Sequence, residues 1–236
     1  LVRDELISAC TQPVRARIFI DSSPLAERAV AERAGTGWFG KNTMILTPGV
    51  GSFTLLTTIL VDVELEPDTP LGKSCGSCTR CITACPTGAI TAPHKLDARL
   101  CISYLTIENK GPIPEPLRPL LGDRIYGCDD CLDACPWNRF AQQSRESRFA
   151  AREFVTMPLR DFLALDDDAF RALFRGSPIK RIKRARFLRN VCVALGNVGT
   201  HDDLPALTIA AADPDPLIAE HAQWAAARIR ARGGTM

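Results

Sequence analysis

Eight of the ten cysteines of this 236-residue chain lie within residues 75–136, and their spacing is the clearest chemical signal in the sequence. The first group, at residues 75–86, is a C-x2-C-x2-C-x3-C-P run. The same run returns at 128–136 without its first cysteine, and one isolated cysteine lies between the groups. Eight thiolates are the number that two [4Fe–4S] clusters require. In order, these cysteines are Cys75, Cys78, Cys81, Cys85, Cys101, Cys128, Cys131 and Cys135.

The first run has the spacing known from bacterial two-cluster ferredoxins, so this is a matched pattern rather than a derivation. In that pattern, C-x2-C-x2-C surrounds one face of a cubane, and the cysteine before proline ligates the other cluster. We therefore expect the two halves to exchange Cys85 and Cys135, an interlocked arrangement suited to passing electrons singly. The predicted ligands of cluster one are Cys75, Cys78, Cys81 and Cys135, and those of cluster two are Cys85, Cys101, Cys128 and Cys131.

Two structural zinc sites are the main alternative, because zinc proteins also use C-x2-C pairs. Zinc needs neither a third cysteine at the same spacing nor a cysteine–proline ending, so the pattern favours iron. A disulfide framework fits less well, because nothing else in the chain is typical of a secreted protein. Of the two remaining cysteines, Cys192 is expected in a core, and Cys10 allows no interpretation.

The composition indicates a globular protein of one or two domains with a sizeable core. Its hydrophobic fraction of 46% and charged fraction of 24% are ordinary for that class. No stretch approaches the ~18 apolar residues of a membrane span, and no signal-peptide pattern opens the chain. Together with thiols intended for iron, this predicts a cytoplasmic protein without membrane contact.

The net charge is only +2, but the basic residues are unevenly distributed. Residues 169–201 contain eight Lys and Arg and no Asp or Glu. Such a run can be merely the solvated face of a helix, yet its length without acids favours binding to the phosphates of RNA or DNA. The residues predicted to make these contacts are Lys180, Arg181, Lys183, Arg184, Arg186 and Arg189.

Near the N-terminus, residues 15–20 alternate polar and apolar, which predicts a half-buried strand ending at Asp21. The S-S-P segment at 22–24 then supplies an N-cap and a first-turn proline for a helix running to about Ala34. Asp21 would thus lie between a strand end and a helix start, where open α/β sheets bind ligands. A capping or turn aspartate is the alternative.

The segment at 35–42 satisfies G-x-x-x-x-G-K, but it does not predict a nucleotide site. Asn42 replaces the Ser or Thr that would hold magnesium, and the order of helix and strand is reversed. Residues 52–63 predict a long, largely buried strand.

Beyond a polar boundary near 142–152, the pattern becomes helical. Leu188, Val191, Leu195 and Val198 recur at helical spacing. Two similar segments, R-N-V-C-V-A-L-G-N and H-A-Q-W-A-A-A-R-I, lie about one helical hairpin apart, as in HEAT-type arrays. We therefore predict an α+β multidomain fold. Its parts are an α/β domain at 1–64, a bacterial-type two-[4Fe–4S] ferredoxin domain at 65–145 and C-terminal HEAT-like α-helical repeats at 146–236.

The chain resembles the epoxyqueuosine reductase family over nearly its whole length. The matching segments include I-F-I-D-S-S-P-L-A-E-R-A-V-A-E-R-A-G at 18–35, G-K-N-T-M-I-L at 40–46, C-I-S-Y-L-T-I-E at 101–108 and F-L-R-N-V-C-V-A-L-G-N at 187–197, with both cysteine groups between them. The ferredoxin run alone is shared by many redox proteins, but together with its flanking segments it is specific. Since family members extend further before the position of Leu1, the resemblance implies that 1–64 is a partial cobalamin-binding domain.

The resemblance implies an oxidoreductase that reduces epoxyqueuosine to queuosine at the wobble position of transfer RNA, the final step of queuosine biosynthesis. Two clusters would pass electrons to cobalamin, and Asp21 matches the family's proposed proton donor. Scattered histidines and the lack of D-x-H-x-x-G argue against a histidine ligand to cobalt. By matching position, the candidates for lining the cobalamin site are Asp21, Lys41, Asn42, Met44, Ser52, Ser103 and Tyr104.

The implied partners are the anticodon arm of a transfer RNA, gripped by the basic tail, and an electron donor that the sequence does not identify. We expect a monomer. Three other functions remain open at this point. A reductive dehalogenase uses the same cofactors but normally carries an export signal, a plain ferredoxin explains only the cysteines, and an RNA-binding module would carry structural zinc.

Overall fold

The computed structural model describes residues 2–9, 13–21, 24–141, 144, 146–147 and 150–233. The chain divides into two compact units that interleave along the sequence. Unit 1 comprises Leu1–Ala84, Ile90–Leu96 and Cys131–Gln143, and unit 2 comprises Cys85–Ala89, Asp97–Asp130 and Ser144–Met236. The chain therefore passes between units after residues 84, 89, 96, 130 and 143. The cysteine-rich region is shared between both units, whereas the sequence predicted three consecutive domains.

The described residues form short strands and helices, the longest helices lying near the C-terminus. The strands are β1 Ala16–Phe19, β2 Trp38–Phe39, β3 Ile45–Leu46, β4 Thr58–Val61, β5 Ile90–Ala92 and β6 Lys95–Leu96. The helices are α1 Val2–Ala9, α2 Glu27–Arg33, α3 Arg80–Ala84, α4 Ile102–Ile107, α5 Asp130–Asp133, α6 Asp167–Leu173, α7 Lys183–Val198, α8 Leu204–Ala210 and α9 Pro216–Gly233.

Unit 1 contains three two-stranded antiparallel sheets among its described residues, β1–β4, β2–β3 and β5–β6. The predicted strand at 15–20 is confirmed as β1, in which Ile18 lies opposite Ile59. The prediction of a long buried strand at 52–63 is wrong. Only Thr58–Val61 is paired, and Leu55 is 84% exposed, because the four residues of β1 offer no partner to the preceding segment.

Helix α2 begins later than predicted, at Glu27, with Ala26 as its N-cap. The predicted capping residues Ser22 and Ser23 lie outside the described residues. The helix ends near the predicted position, and Gly35 follows with φ +64°, a left-handed conformation that commonly terminates a helix. Because no described strand of unit 1 pairs in parallel, the position of Asp21 cannot be explained by the edge of an open parallel sheet.

Unit 2 is built around α7, which packs against α9 and whose residues Leu188, Val191 and Leu195 are buried as the helical spacing predicted. Val198, at the end of the same series, is 53% exposed because the helix ends there. Cys192 is fully buried, which confirms its assignment to a core. Four phenylalanines of this core pack against one another, mostly edge-on or tilted, with ring centroids 4.8–6.4 Å apart, namely Phe162, Phe170, Phe174 and Phe187.

Among the helices that the structure describes, none is both long enough and apolar enough to span a bilayer. The C-terminal region is helical, as predicted.

Candidate functional site

Four cysteines of unit 1 line one cavity. Cys75, Cys78, Cys81 and Cys135 are all half-buried and line a cavity of about 20 Å³. They come from two segments separated by more than fifty residues, because 131–143 folds into the same unit as 1–84. These are the four residues that the spacing predicts as ligands of cluster one. The remaining walls of this cavity are formed by Lys41, Asn42, Leu46, Pro136 and Trp137.

Local backbone structure turns these thiols inward. The amide of Cys78 donates to the carbonyl of Cys75 (3.1 Å), which closes a tight turn before α3. Cys135 is extended (φ −77°, ψ 119°) and is the N-cap of a 3₁₀ helix at Pro136–Phe140. The proline at the first helical position fixes this break, since its ring presets the helical φ and needs no donor.

Burial and neighbouring thiols favour the protonated form of two cysteines of this cavity. Burial raises the pKa of Cys81, and the neighbouring Cys75 raises it further. Burial also raises the pKa of Cys135, while the backbone N–H of Trp137 opposes that change. Metal coordination would remove these protons, since thiolates are the coordinating form. The donor set of four cysteines therefore fits an iron–sulfur cluster.

The arrangement also bears on the zinc alternative. Among the described residues, no group of three or more His, Cys, Asp or Glu side chains is placed to hold a single metal ion. The preference for iron over zinc rests on the spacing of the cysteines and on the cysteine–proline endings. None of the nine described cysteines forms a disulfide, and Cys10 lies outside the described residues.

The predicted ligands of cluster two are divided between the units. Cys85, Cys101 and Cys128 belong to unit 2, and Cys131 belongs to unit 1. The Cys85 sulfur accepts a hydrogen bond from the backbone N–H of Ala89 (3.2 Å). Cys101 is the N-cap of α4, and burial raises the pKa of Cys128.

A second cavity of unit 1 contains Asp21. This open cavity has a volume of about 360 Å³ and is lined by Asp21, Met44 and Ser52, three of the residues predicted to face cobalamin. Asp21 is exposed and adopts φ +48°, a conformation that aspartate tolerates better than most residues. Ile20 and Leu55 also line this cavity and are 56% and 84% exposed, so it presents uncovered apolar surface that suits a large, flat cofactor.

The other predicted cobalamin residues lie elsewhere. Lys41 and Asn42 line the cysteine cavity, where the Lys41 Nζ donates to the carbonyl of Gly76 (2.7 Å). Ser103 and Tyr104 lie on α4 in unit 2, and Tyr104 is 39% exposed. The structure thus places Asp21, Met44 and Ser52 at one cavity and Lys41 and Asn42 at the other, and the Asn42 Oδ1 accepts a hydrogen bond from the backbone N–H of Met44 (3.2 Å).

Asn138 was not predicted as a site residue, yet it connects the walls of both cavities in unit 1. Its Oδ1 accepts hydrogen bonds from the backbone N–H of Ser52 (2.7 Å) and from the Ser52 hydroxyl (3.0 Å). Its Nδ2 donates to the carbonyl of Leu132 (2.6 Å), within the segment that carries Cys135. The W-N pair after the last cysteine–proline was the only sequence signal, and it does not reveal so distant a partner.

The six basic residues predicted to contact RNA differ in their exposure. The Arg184 guanidinium donates hydrogen bonds to the carboxylate of Asp213 (2.8 Å) and to the carbonyl of Leu165 (2.6 Å). Arg186 is half-buried and donates to the carbonyl of Ile107 (3.1 Å). The exposed members are Lys180, Arg181 and Lys183.

Arg189 contradicts its prediction as an RNA contact. Its side chain is fully buried, and its guanidinium donates to the carbonyls of Leu105 (2.7 Å), Asn109 (2.9 Å) and Gly111. The remaining donors bind the Oδ1 of Asn190 at 3.0 and 2.9 Å. Because no face of this group reaches solvent, Arg189 fastens α7 to α4 and to the loop that follows it.

Comparison with known proteins gives this geometry a context. A family model described as a 4Fe-4S double cluster binding domain matches residues 74–138. Epoxyqueuosine reductase from Xanthomonas campestris pv. campestris is 48% identical over 228 residues, covering 95% of this chain and 64% of the relative.

Two solved structures agree in fold with the present one. A structure of epoxyqueuosine reductase with an epoxyqueuosine-modified tRNA-Tyr stem loop has a TM-score of 0.89 and 36% identity, covering 97% of this chain and 60% of that one. A structure of epoxyqueuosine reductase from Bacillus subtilis, described as having its catalytic aspartate loop swung out of the active site, has a TM-score of 0.88 and 35% identity, covering 97% and 61%.

The chain spans between 60% and 64% of the length of these three proteins. Within that span, the match includes the cysteine region, the segment of Asp21 and the helical C-terminal region. The chain is therefore a homologue of the epoxyqueuosine reductases and corresponds to a part of their length.

Proposed function

We propose that this chain is part of an oxidoreductase that reduces epoxyqueuosine to queuosine at the wobble position of transfer RNA. The observation that carries the proposal is the presence, within unit 1, of a four-cysteine cavity and an open cavity containing Asp21. Asn138 joins the walls of the two. The relatives named above, which are epoxyqueuosine reductases, support the same reaction.

The reaction requires that both C–O bonds of the epoxide break, that a C=C bond forms and that the oxygen leaves as water. This consumes two electrons and two protons. When bound, two [4Fe–4S] clusters and cobalamin would supply the electrons singly. We assign the thiolates of Cys75, Cys78, Cys81 and Cys135 to cluster one, and the predicted cluster-two ligands Cys85, Cys101, Cys128 and Cys131 remain part of the proposal.

In this scheme, Asp21 holds the proton that the departing epoxide oxygen takes. General-acid help of this kind typically contributes about 10²–10⁴-fold to a rate. Asp21 is exposed at a left-handed turn that also lines the open cavity. The Bacillus subtilis relative, whose catalytic aspartate loop is swung out of its active site, supports the inference that Asp21 lies on a corresponding loop.

Met44 and Ser52 contribute the wall against which cobalamin would rest. Ser52 is 2% exposed and its hydroxyl is already bonded to Asn138, so it fixes the shape of the wall. Ile20 and Leu55 add apolar surface that would exclude water from the reacting oxygen. Lys41, Asn42, Ser103 and Tyr104 remain candidates for contact with the cofactor.

For transfer RNA, we propose the exposed basic residues of the helical, HEAT-like region, namely Lys180, Arg181 and Lys183. Replacing Lys180 and Lys183 with Gln should weaken binding of an anticodon stem loop at every salt concentration. It should also reduce the slope of log affinity against log salt, since fewer counterions are released. The electron donor and a monomeric state are further parts of the proposal.

The test is a single anaerobic assay. The chain is reconstituted with iron and sulfide, supplied with cobalamin, a chemical reductant and transfer RNA containing epoxyqueuosine, and the nucleosides are analysed by mass spectrometry. We expect loss of one oxygen from epoxyqueuosine, and we expect Asp21→Asn to abolish that loss while iron content stays unchanged. Full cofactor content without any oxygen loss would refute the proposed function.

A further inference from the structure

A hydroxyl group lies beside one of the predicted cluster ligands and is not used by the proposed mechanism. In the turn Cys85–Ala89, the Thr87 Oγ1 is 3.8 Å from the Cys85 sulfur, within hydrogen-bond range for sulfur. The backbone N–H of Ala89 also donates to that sulfur (3.2 Å). The same turn is closed by a bond from the N–H of Gly88 to the carbonyl of Cys85 (3.2 Å).

The direction of this hydrogen bond follows from the state of the sulfur. In a thiol, either atom can donate. A sulfur bound to iron has lost its proton, so the Thr87 hydroxyl must be the donor. A hydrogen bond to a ligand sulfur stabilises the more negative, reduced cluster, and this is one of the means by which proteins set the reduction potential of iron–sulfur clusters.

The corresponding position in the other cysteine–proline turn is occupied differently. There the sequence is C-P-W-N, and Trp137 stands where Thr87 stands in C-P-T-G. Trp137 has no hydroxyl, and its ring packs edge-on against Trp38 with centroids 4.9 Å apart. The two halves of the motif therefore differ in a hydrogen-bond donor next to the exchanged cysteine.

We propose that Thr87, acting through Cys85 as a positioning residue, raises the reduction potential of the cluster that Cys85 ligates. The inference rests on the proposed function, since it requires that clusters bind. It makes the two clusters unequal in their side-chain donors, because Thr87 brings a hydroxyl to Cys85 whereas Trp137 brings only its backbone N–H to Cys135. The consequence is an unequal pair of one-electron carriers built into a nearly repeated motif.

The experiment is potentiometric titration of the reconstituted full chain, followed by electron paramagnetic resonance. Thr87→Val keeps the shape of the side chain and removes the hydroxyl, whereas Thr87→Ser keeps the hydroxyl. We expect Thr87→Val to shift one cluster to a more negative potential and to leave the other unchanged, and Thr87→Ser to titrate like the wild type. Thr83→Val is the matched control, because Thr83 is exposed and its hydroxyl bonds only to the carbonyl of Thr79 among the described contacts.

Iron and sulfide are quantified before each titration, so that failure of cluster assembly is distinguished from failure at Thr87. A wild-type chain that takes up no iron would overturn the proposed function and this inference with it. With clusters present, unchanged potentials in Thr87→Val would overturn the inference alone. So would an equal shift of both clusters, or loss of iron from Thr87→Val but not from Thr87→Ser, which would assign the hydroxyl to assembly.

Discussion

Replacing Arg189 with Met tests the most densely bonded polar group of unit 2. Methionine keeps a long side chain but has no donors. The change would leave the carbonyl oxygens of Leu105, Asn109 and Gly111 without their charged partner. Each buried acceptor left unpaired costs about 1–3 kcal/mol.

The expected loss of unfolding free energy in Arg189→Met lies at the lower end of the summed cost of the three carbonyls, because removing a buried charge recovers part of its desolvation cost. Burial lowers the pKa of Arg189 to about 10, so the guanidinium remains charged at neutral pH and that cost is present. We therefore expect the free energy of unfolding to fall by about 3 kcal/mol. For a chain of this length, such a loss lowers Tm by roughly 6–12 °C.

The assay is hydrogen exchange followed by mass spectrometry, which reports on each unit separately. Peptides covering α4 and residues 109–113 should lose protection first in Arg189→Met, because their carbonyls receive the guanidinium bonds. Lys183→Met is the matched control, since Lys183 is an exposed cation on the same helix. If Arg189→Met were as stable as this control, the reasoning from unpaired carbonyls would be refuted.

Three further predictions concern other parts of the chain. Gly51→Ala should destabilise unit 1 by about 1–3 kcal/mol in urea unfolding. The reason is that Gly51 has φ +101° and that a Cβ there would lie 2.4 Å from the Asn138 Oδ1. Gly49→Ala is the control and should destabilise the unit less, because Gly49 has φ +74° but open space around it. Burial, together with the charge of Arg118, lowers the pKa of His221 to about 4. The contribution of neutral His221 to the free energy of unfolding is therefore complete above pH 6.5 and is lost as the pH falls towards 4. Between pH 7 and pH 5 the loss should be about 2 kcal/mol by urea unfolding, and His221→Gln should remove that pH dependence. Cys135→Ser should retain about half of the iron by elemental analysis, since it removes a ligand of one cluster; full retention would contradict the assignment of Cys135 as a cluster ligand.

The cysteine spacing predicted which thiols approach one another in unit 1, because three of them are close in sequence and the cysteine–proline turn has a fixed local geometry. Cys135 lines the same cavity as Cys75, as that pattern required. Local rules could not reveal Asn138, whose bonds to Ser52 and Leu132 depend on how a distant segment returns to the unit.

The errors have equally specific causes. Periodicity assigns one buried face to a helix, but residues 187–196 of α7 are buried on all sides, so Arg189 could not be recognised as internal from the charge pattern. The apolar stretch at 52–63 has the composition of a strand, yet composition does not show whether a partner strand is present along its whole length. The helix start at Glu27 differs from the predicted S-S-P cap by a few residues, as element boundaries commonly do.

The chain crosses five times between the two units, and this interleaving affects the order in which the units can fold during synthesis. A ribosome releases the chain from its N-terminus, at about 5–20 residues per second. Unit 1 nevertheless needs residues 131–143, so its sulfur-lined cavity cannot be complete until more than half of the sequence has emerged. Cys75, Cys78 and Cys81 are therefore synthesised before Cys135, the fourth cysteine of their cavity, and stay reduced without it until residue 135 has been added. We expect iron to be inserted only after synthesis has passed that residue.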